Sequence, residues 1–198
     1  MSDASFRRPR AIFIDRDGTV SEEIGYMTDP SHYMVFPWTG QAIRKINDSG
    51  LKAILVTNQS GVGRGYFPEN LVHGIHEILK DELSRAHATL DAVYFCPHHP
   101  DAGCDCRKPA PGMLFRARDE LSIDLEHSYM IGDRYLDILT ARAAGTHAVL
   151  VLSGDGSAQY AQHDRWDIQP DLVAENLLDA VERILGQAPP PSSDEQGA

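Results

Sequence analysis

Five short apolar runs, each with a polar residue at or just past its end, constrain this chain more than any other feature. They are AIFI at 11–14, AILV at 53–56, AVYF at 92–95, SYMI at 128–131 and AVLVL at 148–152. Short, nearly continuous apolar runs fit strands buried on both faces. Helical patterns lie between them. Residues 40–49 place Ala42, Ile43 and Ile46 on one face, with Gly50 as the stop. Pro68 opens a longer pattern through Leu71, Ile75, Ile78, Leu79 and Leu83. Pro111 opens another with Met113, Leu114 and Ala117, residues 135–144 make a short one stopped by Gly145, and 172–185 read as the last helix. Strand–helix alternation of this kind predicts the α/β class, a Rossmann-like parallel sheet with helices on both faces.

Such sheets bind ligands beyond the carboxyl ends of their strands. Asp15, Thr57, Cys96, Asp133 and Ser153 each follow one of the runs, so the polar groups best suited to chemistry converge on one rim. The stretch 16–38 has little regular pattern, and a loop of that length in a small domain is often functional. Residues 10–186 read as one domain. A flexible segment precedes it at 1–9, and a proline- and serine-rich tail follows at 187–198.

Composition narrows the chemistry. The formal net charge of −11 argues against a nucleic-acid partner, which needs a basic face. If the substrate is anionic, its site must be locally positive against that field. No apolar run is long enough for a membrane span, and the start MSDASFRRPR lacks the apolar core of a secretory signal, so a cytoplasmic location is expected.

Four segments carry the candidate chemistry. In DRDGTV (15–20), Asp15 can act as a nucleophile and Asp17 as a general acid/base on one tight loop, although Asp-Gly is also an ordinary turn signal. In ILVTNQSG (54–61), the Thr57 hydroxyl and the Asn58 and Gln59 amides are neutral donors suited to a phosphate. Nearby Arg64 can reach a second anionic group or simply be a solvated loop residue. Arg107 and Lys108 can hold phosphate oxygens as a fork and a point charge, or form a surface pair. In MIGDRYLD (130–137), Asp133 can bind Mg²⁺ or cap the following helix, and Asp137 can orient the ion's surroundings.

The segment CPHHPDAGCDCRKP (96–109) holds all three cysteines of the chain. A Cys-x-Cys pair is a poor disulfide, and an odd, clustered set is a poor secreted scaffold. The pattern C-x-H-x5-C-x-C instead supplies Cys96, His98, Cys104 and Cys106, a full tetrahedral set for structural Zn²⁺ with no open position for water. Such an ion would staple the loop beside the rim; reduced, unliganded cysteines are the competing reading.

DRDGT, TNQSG, CDCRKP and GDRYLD, in this order on successive strands, resemble the haloacid dehalogenase superfamily of phosphotransferases from about Ala11 to Leu152. GYMTD, TNQSGVGRGYF, CPHHP and KPAPGM narrow the resemblance to a zinc-loop subgroup that includes heptose bisphosphate and histidinol-phosphate phosphatases. GYMTD, TNQSGVGRGYF, CPHHP and KPAPGM look like the heptose type. The five residues between His98 and Cys104 are closer to the histidinol type.

The resemblance implies an HAD-like fold without a large cap domain, the loops at 22–38, 60–67 and 96–109 shaping the pocket. It implies a cytoplasmic, monomeric Mg²⁺-dependent phosphatase for a small anionic sugar bisphosphate. Asp15 would be nucleophile and Mg²⁺ ligand, and Asp17 acid/base with its backbone carbonyl on the metal. Asp133 would complete the Mg²⁺ ligands. Thr57 and Lys108 would steady the phosphoryl group. Arg16, the Glu23–Ile24–Gly25–Tyr26 loop, Asn58, Gln59, Ser60, Arg64, Arg107 and Arg134 would contact the substrate. A nucleic-acid 3′-phosphatase and a phosphorylation-controlled receiver share some of these parts. The acidic charge opposes the first. The second is opposed by the placing of DRDGT after the first strand and by an Asp17 poised to hydrolyse an aspartyl phosphate.

Overall fold

In the computed structural model, which describes residues 8–26 and 29–187, the first apolar run becomes the centre of a sheet. β1 (Ala11–Ile14) is wholly buried and pairs in parallel with β2 (Lys52–Asn58) and, on its other side, with β4 (Tyr129–Gly132). β3 (Ala92–Cys96) lies outside β2, while β5 (His147–Val151) and β6 (Leu172–Ala174) extend the opposite edge. The result is a six-stranded parallel sheet in the order β3-β2-β1-β4-β5-β6. The helices are α1 (Thr39–Asp48), α2 (Ser60–Gly63), α3 (Glu69–Arg85), α4 (Gly112–Leu121), α5 (Tyr135–Ala144), α6 (Gly156–Tyr160) and α7 (Leu177–Gln187).

The strands divide their apolar residues between two cores. Ile12, Ile14, Ala53 and Leu55 face Ile43 and Ile46 of α1, Ile75 and Leu79 of α3, and Val181 and Ile184 of α7. Phe13, Ile54 and Val56 face the other way, onto Met113 and Leu114 of α4 and Ile138 and Ala141 of α5. Both faces are therefore covered, the physical reason for runs without alternation.

One expectation needs correction. Residues 172–185 are not one helix. Leu172–Ala174 forms β6, paired with Val149–Val151, and the helix begins only at Leu177. The sheet's edge offered unpaired backbone groups beside β5, and those bonds override a helical pattern that started too early. The stretch 16–38 folds back on the end of β1. Isolated bridges join Asp17 to Ser21 and Ser21 to Val35, and Pro30–His32 makes a short 3₁₀ turn.

No separate cap domain occurs among the described residues. No helix among them is long and apolar enough to cross a membrane. Most of the segment 1–9 and of the tail 187–198 lies outside the described residues. Pro9 is fastened, its carbonyl accepting from Asp124 N at 2.9 Å, and Gln187 ends α7.

Candidate active site

Chain direction across the sheet reverses between β1 and β4, and a parallel sheet opens a crevice at such a point. Asp15 leaves β1 and Asp133 leaves β4 directly into it. Asp133 is fully buried. Its Oδ2 accepts from Asp155 N at 2.8 Å, while its Oδ1 has no hydrogen-bond partner. Gly18 and Gly154 pack against this carboxylate so closely that a Cβ on Gly18 would lie 2.0 Å from Asp133 Oδ2. Both glycines have positive φ, +78° and +56°, so their backbones can make that approach without strain.

Ligand oxygens of Asp15, Asp133 and Asp137 lie within 4.8 Å of one another. Burial is the main cause that pushes Asp15 up to about 7, with Asp137 and Asp17 adding to it against the pull of Lys108. Burial, then the neighbouring Asp15 and Asp137, push Asp133 up to about 8. Crowded, desolvated carboxylates and an orphaned oxygen are what a hard divalent cation requires. Asp137 is spoken for: its Oδ1 accepts from Lys108 Nζ at 2.7 Å and its Oδ2 from Arg134 N at 3.2 Å. Asp15, engaged at Oδ1 by Lys108 and Arg16 N, and Asp133 are the two carboxylates of this group with an oxygen left to offer a cation. The alternative reading of Asp133 as a helix cap fails, because Arg134 occupies that position and Asp137 accepts its N–H.

Lys108 is buried to 3 % exposure between two carboxylates, 2.8 Å from Asp15 Oδ1 and 2.7 Å from Asp137 Oδ1. Burial alone would depress the ammonium, but Asp137 and Asp15 more than offset it and hold its pKa above the ordinary lysine value. The backbone of Lys108 is clamped at two points: its N–H donates to Asn58 Oδ1, and its carbonyl accepts from Asn58 Nδ2, both at 3.1 Å. Asn58 therefore spends its amide on Lys108. Gln59 is likewise engaged, donating to Asp17 Oδ2 at 3.0 Å and to Thr57 Oγ1 at 2.9 Å. Both line the cleft, yet their amides hold site residues where a phosphate contact was expected.

The cleft beside these groups has a volume of about 320 Å³ and is lined by Asp15, Asp17, Glu23, Gly25, Tyr26, Thr57, Ser60, Arg64, Arg107, Lys108 and Arg134, among others. Arg107 Nη1 is buried with no hydrogen-bond partner. Arg134 is tied to Glu23 Oε2 at 3.0 Å and Asp155 Oδ2 at 2.8 Å. Two expected substrate contacts do not line the cleft. Ile24 points to solvent, 41 % exposed. Arg16 is buried beneath the loop, its Nε and Nη2 on the Asp17 carboxylate at 2.9–3.0 Å and its guanidinium over the Tyr33 ring. β1 ends at Ile14 and the chain bends at Arg16, whose carbonyl accepts from Val20 N at 2.8 Å and Ser21 N at 3.1 Å while its side chain turns onto Asp17.

Sequence reasoning missed the loop after β5. Ser153 Oγ donates to Gly18 O at 2.8 Å, and Asp155 holds both Asp133 and Arg134. The strand-end rule that found Asp15 and Asp133 pointed there too, through Ser153. Gly61, Phe67 and Leu136 also line the cleft and carried no polar signal.

Cys96, His98, Cys104 and Cys106 come together at the end of β3, their ligand atoms within 4.8 Å of one another. Cys104 Sγ lies 3.6 Å from both other sulfurs, and His98 Nδ1 lies 3.2 Å from Cys106 Sγ and 3.5 Å from Cys96 Sγ. A tetrahedral ion with metal–sulfur bonds of about 2.3 Å has sulfur–sulfur edges of about 3.8 Å, so this cage fits one metal ion. The loop packs against α2, where a Cβ on Gly63 would meet His99 N at 2.3 Å.

The chain's relatives share this architecture. The HAD-hydrolase-like family model matches residues 105–180. A D-glycero-D-manno-heptose-1,7-bisphosphate 7-phosphatase of Thermosynechococcus vestitus is 39% identical over 197 residues, covering 91% of this chain and 97% of its own. A D-glycero-beta-D-manno-heptose-1,7-bisphosphate 7-phosphatase of Yersinia pestis is 43% identical over 153 residues, covering 73% of this chain and 81% of its own. Among solved structures, the D,D-heptose 1,7-bisphosphate phosphatase of B. bronchiseptica, complexed with magnesium and phosphate, superposes with a TM-score of 0.83 at 33% identity, covering 90% of this chain and 99% of that one. Sequence, sheet order and cleft agree: this chain belongs to the D-glycero-D-manno-heptose-1,7-bisphosphate 7-phosphatase family of HAD-like hydrolases.

Proposed function

We propose that the protein is a Mg²⁺-dependent phosphatase that removes the C7 phosphate of D-glycero-D-manno-heptose 1,7-bisphosphate, giving heptose 1-phosphate for nucleotide-activated heptose synthesis. The observation that carries this reading is a cluster of cations. In a chain of net charge −11, one cleft gathers Lys108, Arg64, Arg107 and Arg134 beside Asp15, Asp17 and Glu23, and Arg107 Nη1 is buried there with no hydrogen-bond partner. Its volume suits a phosphorylated sugar.

In this mechanism the Asp15 carboxylate attacks phosphorus and forms an aspartyl phosphate as the sugar oxygen leaves. Asp17 gives that oxygen its proton and then takes one from the water that hydrolyses the intermediate. Lys108 and Thr57 hold the phosphoryl oxygens, and Arg64 and Arg107 hold the phosphate that is not cleaved. Asp15, Asp133 and the Asp17 carbonyl would hold the Mg²⁺, which when bound would supply positive charge between the carboxylate and the phosphate. The experiment is phosphate release from the α and β anomers of the heptose bisphosphate and from histidinol phosphate, each with Mg²⁺. Turnover of a heptose bisphosphate at least 100-fold above histidinol phosphate is expected; preference for histidinol phosphate would replace the reading.

We assign Zn²⁺ to the Cys96–His98–Cys104–Cys106 cage as a structural ion. All four positions are protein ligands, so the ion would do no chemistry and would instead fix the loop that delivers Arg107 and Lys108. Cys106→Ser is expected to lower the zinc content of the purified protein below one per chain. Activity should fall on the order of 10- to 100-fold through misplacement of that pair. Full activity in a zinc-free variant would remove the ion from the account.

A further inference from the structure

Two tyrosines from different loops meet beside the cleft. Tyr26 follows Glu23 and Gly25 on the excursion after β1, and Tyr66 follows Arg64 on the turn after α2. Their ring centroids lie 4.7 Å apart with an interplanar angle of 78°, an edge-to-face contact. Both are half exposed, at 50% and 54%. Tyr26 is on the cleft wall, and Tyr66 is not.

Hydrogen bonds hold both loops. The turn carrying Tyr66 is pinned by Tyr66 N donating to Gly61 O at 2.9 Å and Arg64 N donating to Ser60 O at 2.9 Å. Buried Phe67 follows, packed against Gly61 so closely that a Cβ there would lie 2.3 Å from its ring. The Tyr26 segment is secured locally by Gly25 N donating to Glu23 Oε1 at 2.7 Å and by the Glu23–Arg134 pair. Tyr66 thus presents its ring, from a turn closed by backbone hydrogen bonds, to an aromatic neighbour on the loop after β1.

We infer that Tyr66 is a positioning and specificity-determining residue: its ring holds Tyr26 across the cleft mouth, forming an aromatic bridge over the sugar of a small bisphosphate. The inference rests on the sugar-bisphosphatase reading and adds to it. Arg64 and Arg107 mark where phosphate charge is met, and the bridge decides what can lie between them. An aromatic face suits the C–H groups of a sugar ring. A bridge across the mouth also excludes phosphate esters attached to large bodies.

The experiment compares wild type, Tyr66→Ala, Tyr66→Phe, Tyr26→Ala and the double alanine variant on heptose 1,7-bisphosphate and on acetyl phosphate, which is too small to reach the mouth. Tyr66→Ala is expected to raise KM for the bisphosphate about 3- to 10-fold with kcat within about 2-fold, the size expected of one exposed aromatic contact. Acetyl phosphate hydrolysis and melting temperature should not change. Tyr66→Phe should restore the bisphosphate KM, because the edge-to-face contact needs the ring and not the hydroxyl. The double variant should be no worse than Tyr26→Ala, since both substitutions break one bridge. An unchanged KM in Tyr66→Ala, strictly additive losses, or an equal loss on acetyl phosphate each overturn the inference. A wild-type protein inactive on either heptose bisphosphate anomer but active on acetyl phosphate overturns the substrate reading instead, so the two failures are separable.

Discussion

Asp15→Asn is expected to abolish phosphate release from heptose bisphosphate, by on the order of 10⁴-fold or more, while the protein stays folded. The amide has the shape of the carboxylate but cannot attack phosphorus or form the aspartyl phosphate. The stability half of the prediction follows from electrostatics. Burial, with Asp137 and Asp17, pushes Asp15 up to about 7, so the metal-free fold tolerates its charge poorly. A carboxylate with a raised folded pKa binds its proton more tightly folded than unfolded. Its contribution to metal-free stability therefore falls as pH rises from about 4 towards about 7. Asparagine removes that slope and one of the crowded charges, while Lys108 keeps its partner Asp137. In EDTA at pH 8 the variant should melt no lower than wild type. In Mg²⁺ it should gain less, because ligand binding to the folded state stabilises only as far as the site survives. Both are read by thermal melts beside a phosphate-release assay. Turnover within tenfold of wild type would end the nucleophile assignment; a variant that fails to fold would end the electrostatic argument.

The parts of the site that were legible in the sequence are those carried by strand ends. Asp15, Thr57, Cys96 and Asp133 each terminate an apolar run, and topology alone brings such positions to one rim. What was not legible depended on side-chain direction and on loops. Arg16 sits in the most informative hexapeptide of the chain, yet a bend in the backbone there turns it under the loop onto Asp17 and Tyr33. Asn58 and Gln59 have the right chemistry for a phosphate, but hydrogen bonds with Lys108, Asp17 and Thr57 consume it. Asp155 was passed over because an exposed aspartate past a strand has no pattern of its own. Its role exists only because β5 lies beside β4 and carries the loop to Asp133. The sixth strand escaped for a similar reason. Leu172–Ala174 is too short for a period, and its conformation comes from the open edge of β5.

Lys108→Met should cost more than catalysis. Lys108 is the buried cation that separates Asp15 from Asp137, and both contacts are shorter than 3 Å. Methionine fills much the same volume but leaves the two carboxylates facing each other without a counter-charge. Removing one partner of a buried ion pair typically costs about 3–5 kcal/mol, chiefly from the charge left behind. A loss of that size in a domain of this length lowers the melting temperature by roughly 6–20 °C. Activity on heptose bisphosphate should fall on the order of 10³-fold, since the same ammonium is proposed to hold the phosphoryl oxygens. These two losses have different origins and can be pulled apart. Adding Asp137→Asn to Lys108→Met removes one of the two stranded charges and with it their mutual repulsion, so the double variant should recover part of the lost stability. It should recover no activity, because no cation has been returned to the phosphoryl group. Melting temperature and phosphate release on the two variants and on Asp137→Asn alone complete the cycle. If the double variant melts no higher than Lys108→Met, the stranded-charge explanation is wrong and lost packing takes its place. If activity returns with stability, Lys108 serves as a strut for the fold and the phosphoryl group is held by other residues.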